Sequence, residues 1–157
     1  MSIVGKIAPF ALGLGLIAGA SMYSANAVTI NLNDKVPSAG GVTLDDSDKA
    51  VSASSPVIYD LAKKAEKNST SLLYSQSKAA INYANSRWVY YSDNHNYFTG
   101  YKRGHSNYFH RTERHGSYAA VGNKNTGIWK YVDAGKWSYS SDSGIGTFVA
   151  KYDAPYN

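Results

Sequence analysis

From Arg87 to Asn157 large and small residues alternate with a period close to two, and turn chemistry breaks the alternation every roughly 8–12 residues. A chain patterned this way makes short antiparallel strands rather than long helices. Candidate strands are Arg87–Ser92, Asn96–Lys102, Ser106–Thr112, Ser117–Val121, Gly127–Val132, Lys136–Ser140 and Gly144–Tyr152. Candidate turns are Asp93-Asn94, Arg103-Gly104, His115-Gly116, Gly122 to Asn125, Asp133-Ala134-Gly135 and Ser141-Asp142-Ser143. The expected fold is mainly β: a small antiparallel β-sandwich in the C-terminal half, preceded by a disordered lead and a short helical segment.

The same stretch holds all four histidines, all three tryptophans and ten of the fourteen tyrosines. Tyrosine buries a ring but brings a hydroxyl that needs a partner, so such a domain has a partly polar interior or wet faces. There is no cysteine to staple it. A domain of about 70 residues buries only ~60% of its unfolded surface. Aromatic packing, a ligand or self-association, including a homodimer, must therefore add to its stability.

Met1 to Ala27 reads as a secretory signal peptide. Lys6 is followed by the apolar run Ile7–Ala20 and by Ala25-Asn26-Ala27, which predicts cleavage between Ala27 and Val28 and a secreted, extracellular product. The run is shorter than the ~20 residues that span a bilayer, so no transmembrane segment is expected after processing. Residues 28–55 are rich in small and polar side chains and read as the disordered lead or a pro-segment. Residues 56–86 read as amphipathic helix: Ser55 caps Pro56, and Ile58, Leu61, Ala62 and Ala65 share a face. Asn68-Ser69-Thr70 interrupts it, and Leu73, Ala80, Ile81 and Ala84 suggest a second helical stretch.

Charge is uneven. The lead has four acids against two lysines, whereas residues 87–157 have nine basic against five acidic side chains. Between Lys102 and His115, Arg103, Arg111 and Arg114 are opposed by Glu113 alone, with His105, His110 and His115 among them. Guanidinium forks and imidazoles in one region suit phosphate or pyrophosphate recognition. Histidines five apart on one strand point to opposite faces, and no metal-ligand spacing is present, so neither a metal nor a cofactor is expected. No paired carboxylates and no nucleophile motif point to an enzyme. Export makes nucleic acid an improbable partner despite the basic balance.

Trp88-Val89-Tyr90, Ser106-Asn107-Tyr108-Phe109-His110, His115 and Ala134-Gly135-Lys136-Trp137 occur in this order. The order resembles the lactococcin 972 family of secreted bacteriocins, whose mature domain carries a Trp-x-Tyr opening, a Ser-x-Tyr-x-His stretch, a later His and an Ala-Gly-x-Trp. Residue by residue, Trp88, Tyr90, Ser106, Tyr108, His110, His115, Gly135 and Trp137 match. Tyr91 stands where the family has glycine, and residues 28–86 have no counterpart in its shorter mature members. The resemblance implies a β-sandwich antibacterial protein that binds the cell-wall precursor lipid II, or another anionic envelope component, and blocks septum and wall synthesis. Under that reading Arg103, His105, Tyr108, Phe109, His110, Arg111, Arg114 and His115 are the candidate ligand-binding residues. The alternative is an envelope-associated structural or adhesive protein with a tyrosine-rich head.

Intact-mass measurement on protein from culture supernatant should place the N-terminus at Val28. A mass that retains Met1 would refute cleavage, and one beginning near Ser86 would identify residues 28–86 as a pro-segment.

Overall fold

The computed structural model describes residues 27–29, 37–69, 78–122 and 127–155. Its elements are β1 (Ala27–Thr29), β2 (Ala39–Leu44), β3 (Ala50–Ala53), α1 (Pro56–Ser69), β4 (Ala79–Asn82), β5 (Ser86–Asn96), β6 (Tyr101–His110), β7 (His115–Val121), β8 (Lys130–Val132), β9 (Trp137–Ile145) and β10 (Phe148–Asp153). Two five-stranded sheets pack face to face. The first has the order β1-β4-β5-β6-β9, the second β3-β2-β10-β7-β8. Among the described residues all strand pairings are antiparallel except β1 with β4. The mainly-β sandwich expected from the period of two is the fold observed. No helix among the described residues is long and apolar enough to cross a membrane.

The sandwich is not confined to the C-terminal half. Residues 28–55, expected to be a disordered lead, supply β2 and β3, and β2 lies between β3 and the last strand, β10. Val42, Leu44 and Ala50 are buried in the core. The lead looks poor in apolar bulk because its partners supply that bulk. A Cβ on Gly40 would overlap the Tyr152 ring, so the neighbouring strand's aromatic fills the space that a β2 side chain would need. The cleavage residues Ala27 and Val28 lie in β1, and residues 1–26 lie outside the described residues.

Helix α1 begins where expected, with Ser55 Oγ accepting from Ile58 N–H at 3.3 Å, and ends at Ser69. Ile58, Leu61, Ala62 and Ala65 turn inward onto the sheets, and Glu66 accepts a bond from Ala50 N–H. The second helical stretch is not seen. Ala80 and Ile81 belong to β4, which is buried between β1 and β5, Ala84 lies in the following turn, and Leu73 is outside the described residues. A strand buried on both faces reads as a short apolar run, and such a run mimics one face of a helix.

Several glycine and polar signals mark close approaches or bulges instead of turns. Arg103-Gly104 lies inside β6, because a Cβ at Gly104 would collide with the Phe148 ring of the opposite sheet. Asp93-Asn94 is a bulge in β5, with Asn94 left-handed at φ 53°. Ser141-Asp142-Ser143 runs within β9, and His115-Gly116 opens β7. The segment expected as the strand Asn96–Lys102 instead contains the β5–β6 hairpin tip, Tyr97–Gly100. The Asp133-Ala134-Gly135 turn is where it was expected, with Gly135 at φ 75°.

The core is both packed and hydrogen-bonded. Trp88 lies 4.6 Å from Tyr90 and 4.8 Å from Tyr152, ring to ring, and Tyr108 lies 4.8 Å from Tyr152. Trp88 Nε1 donates to Ser106 Oγ at 2.9 Å, and Ser106 Oγ donates to the Lys151 carbonyl at 2.9 Å. Tyr83 and Tyr152 hydroxyls meet at 3.0 Å. On the side of the sandwich away from α1, β9 is stitched to the edge of β7. Ser138 meets Ser117 at 2.7 Å, Ser140 Oγ accepts from Ala119 N–H at 3.1 Å, and Asp142 accepts from Val121 N–H at 2.9 Å.

Burial pushes Tyr152 up to about 12 and drives Tyr83, Tyr90 and Tyr108 higher still. Each folded value lies above the ~10 of an unfolded chain. Their contribution is therefore complete below pH ~10 and is lost as pH rises through the folded values. Phenolate absorbance should show a set of tyrosines, Tyr83, Tyr90, Tyr108 and Tyr152, that ionises only as the fold melts. Ionisation of all tyrosines in one step in the folded protein would contradict this core.

Candidate functional site

Strand alternation divides the expected site residues between two faces. On β6, Ser106 and Tyr108 point into the core, with His110 on the same side at its mouth, whereas Arg103, His105 and Phe109 point outward. The outer residues fall into rows across the first sheet. Arg87 pairs with Phe109 and Phe109 with Trp137; Val89 pairs with Asn107 and Asn107 with Tyr139; Tyr91 pairs with His105 and His105 with Ser141.

Most of the histidines already have structural partners. His115 is fully buried, with Nδ1 2.8 Å from the Glu113 carbonyl and Nε2 2.9 Å from the Lys136 carbonyl. It therefore ties the β6–β7 connection to the start of β9. His110 Nδ1 accepts from Glu113 N–H at 3.1 Å; burial lowers its pKa, Glu113 opposes that, and His115 adds to it. His105 stacks on Tyr91 at 4.5 Å and contacts Asp93 at 3.0 Å. His95, which was not singled out from sequence, stacks on Tyr97 at 4.2 Å.

The arginines also separate. Arg103 reaches Ser141 at 3.4 Å near the β5–β6 hairpin end of the sheet, and Arg114 lies 5.2 Å over the Tyr131 ring on the other sheet. Arg111 is different. With Phe109 and Trp137 it lines a recess of about 300 Å³, at the end of the sheet where β5 begins, together with Arg87, Tyr83 and Asn85. Phe109 and Trp137 lie 5.5 Å apart and form an aromatic wall. Among the described residues neither Arg87 nor Arg111 makes an ion pair.

Two unpaired guanidinium groups beside an aromatic wall can bind an anion and pack an apolar or sugar ring in one place. Two of the eight expected ligand-binding residues, Phe109 and Arg111, meet there with Trp137, which was singled out only as a motif residue. Tyr108 and His115 instead support it from below, and Gly135 shapes the nearby turn, its N–H donating to the His110 carbonyl at 2.8 Å. Arg87 was missed. Alternation with Trp88 shows that it faces outward, but only the cross-strand register sets it beside Phe109.

A larger groove of about 540 Å³ crosses the outer face of the second sheet over Gly41, Thr43 and Val149, with Trp129 as one wall. Its charged groups are already engaged: Lys151 lies 5.1 Å over Tyr118, and Asp153 accepts from Tyr131 at 3.0 Å. The smaller recess is therefore the better anion site.

Replacing His115 with Leu leaves at least one of these carbonyls without its ring N–H donor, at a cost of ~1–3 kcal/mol. Denaturant melts should show a loss of about 1–3 kcal/mol, against under about 0.5 kcal/mol for Arg103→Ala on the surface. Equal effects would place His115 outside the scaffold.

No protein-family model, no characterised protein and no solved structure matches this chain.

Proposed function

We propose that this is a secreted antibacterial protein that binds lipid II, or a closely related anionic lipid-linked wall precursor, and thereby blocks wall synthesis. The recess of Arg87, Phe109, Arg111 and Trp137 carries the reading. It joins two guanidiniums without a carboxylate partner among the described residues to an aromatic wall, at a volume at the lower end of the ~300–1,000 Å³ of small-ligand sites. A pyrophosphate supplies paired acceptors for the two forks, and the adjoining sugar has an apolar face to set against Trp137 or Phe109. The ordered motif residues Trp88, Ser106, Tyr108 and Trp137 support the same reading through the family they resemble.

A charge-assisted hydrogen bond contributes ~1.5–3 kcal/mol. Arg87→Ala combined with Arg111→Ala should therefore weaken binding to lipid II in neutral micelles at least tenfold at physiological salt. Arg103→Ala with Arg114→Ala should change it less than threefold, because exposed, distant charges are screened within about 8–10 Å. The same titration run alongside growth inhibition links binding to killing. Equal losses in both double variants would remove the recess as the site. A wild type that neither binds nor inhibits would favour the adhesive alternative, to which the fully exposed Phe98 would then be the pointer.

A further inference from the structure

The most exposed apolar side chains lie at the opposite end of the first sheet from the recess. Phe98 is 102% exposed and Tyr97 84% exposed, at the tip of the β5–β6 hairpin. The tip is held in place. Asn96 Oδ1 accepts from Phe98 N–H at 3.0 Å and from Thr99 N–H at 3.2 Å, the Asn96 carbonyl accepts from Gly100 N–H at 2.8 Å, and His95 stacks on Tyr97. Its ordering cost is already met within the monomer, so a binding partner would not have to meet it again.

Beside the tip stands the β2–β3 turn with Asp45, Asp46 and Asp48, opposed by Lys49 and by Lys102. Lys102 is wholly buried, 2.8 Å from Asp48 and 2.7 Å from the Asp45 carbonyl, and His95 lies 3.8 Å from Asp48. With three carboxylates against two ammonium groups, this end is aromatic and slightly acidic. The far end of the same strands, roughly 30 Å away at ~3.3 Å per residue, carries the basic, aromatic-walled recess.

We infer that the Tyr97–Phe98 tip of one copy seats in the Arg87–Phe109–Arg111–Trp137 recess of a second copy, joining chains head to tail. The Phe98 ring meets Phe109 and Trp137, and the guanidiniums of Arg87 and Arg111 gain an aromatic face together with the Asp46 side of the neighbour. Tip and recess are different surfaces at opposite ends, so the contact is heterologous and leaves a free tip and a free recess on every pair. The assembly does not depend on the ligand reading. Only competition between ligand and neighbour for the recess rests on it.

A contact well below the ~1,200 Å² of standard interfaces is weak, so sedimentation of the purified protein is followed to its highest soluble concentration. The average mass should rise beyond that of a dimer. Tyr97→Ser with Phe98→Ser should stay monomeric, as should Arg87→Glu with Arg111→Glu, with circular dichroism and melting confirming that both variants are folded. An equimolar mixture of the two should form dimers and stop there, because each pair then has one working contact and no further working ends. A monomeric wild type, association of either variant alone, or a mixture that stays monomeric would overturn the inference. Lipid II titration of the tip variant separates the two readings: if the ligand reading holds, that variant binds as wild type does at dilutions where the wild type is monomeric and more tightly where the wild type is associated, whereas loss of binding there counts against the ligand site and not against the assembly.

Discussion

Ser106 lies between the sheets away from water and makes two bonds at once, accepting from Trp88 Nε1 and donating to the Lys151 carbonyl. Much of the sandwich follows that arrangement. A core built from tyrosine, tryptophan and serine cannot be packed as hydrocarbon alone, since each polar atom taken out of water without a partner costs about 1–3 kcal/mol. Large rings accordingly lie over glycine and serine meets serine: Phe148 covers Gly104 of the opposite sheet, Tyr152 covers Gly40 on the neighbouring strand of its own sheet, and Ser117 meets Ser138 across the two sheets. The serine and aspartate side chains of β9 then act as substitute ladder partners for β7, and α1 fills the opposite side. The lack of cysteine is matched by a network in which polar contacts fix the register that aliphatic side chains would leave loose.

The same alternation sorts the ordered motif into two kinds of residue. Trp88, Tyr90, Ser106, Tyr108 and His115 build the interior. Phe109 and Trp137, each adjacent in sequence to an inward residue, face outward and complete the recess with Arg87 and Arg111. A motif of this type specifies a scaffold at alternate positions of a strand and a surface at those between, so residues that look like one site in sequence are separated by the thickness of a sheet.

What could be read from sequence was local. Ser55-Pro56 starts a helix because cap and φ restriction act within a few residues, and the strands from Arg87 onward announce themselves through their own alternation. What was missed depends on contacts between distant residues. The glycines of β2 look like flexible linker until Tyr152 and Lys151 lie across them. Arg103-Gly104 and Ser141 to Ser143 look like turns until Phe148 and Val121 N–H are beside them. In the site, Phe109, Arg111 and Trp137 were legible as basic and aromatic residues, whereas Arg87 joined them only through strand register, and Arg103 and Arg114 left them for the same reason.

The pairing of Val42 with Ala150 closes a loop that takes in most of the chain. Because β2 sits between β3 and β10, the second sheet has a gap until the last strand has been made, and contacts so distant in sequence are slow to form. Emerging from the ribosome, the chain can form its helix and first hairpins but not its closed core. The closed sandwich can therefore form only once β10 has been made and has entered between β2 and β7.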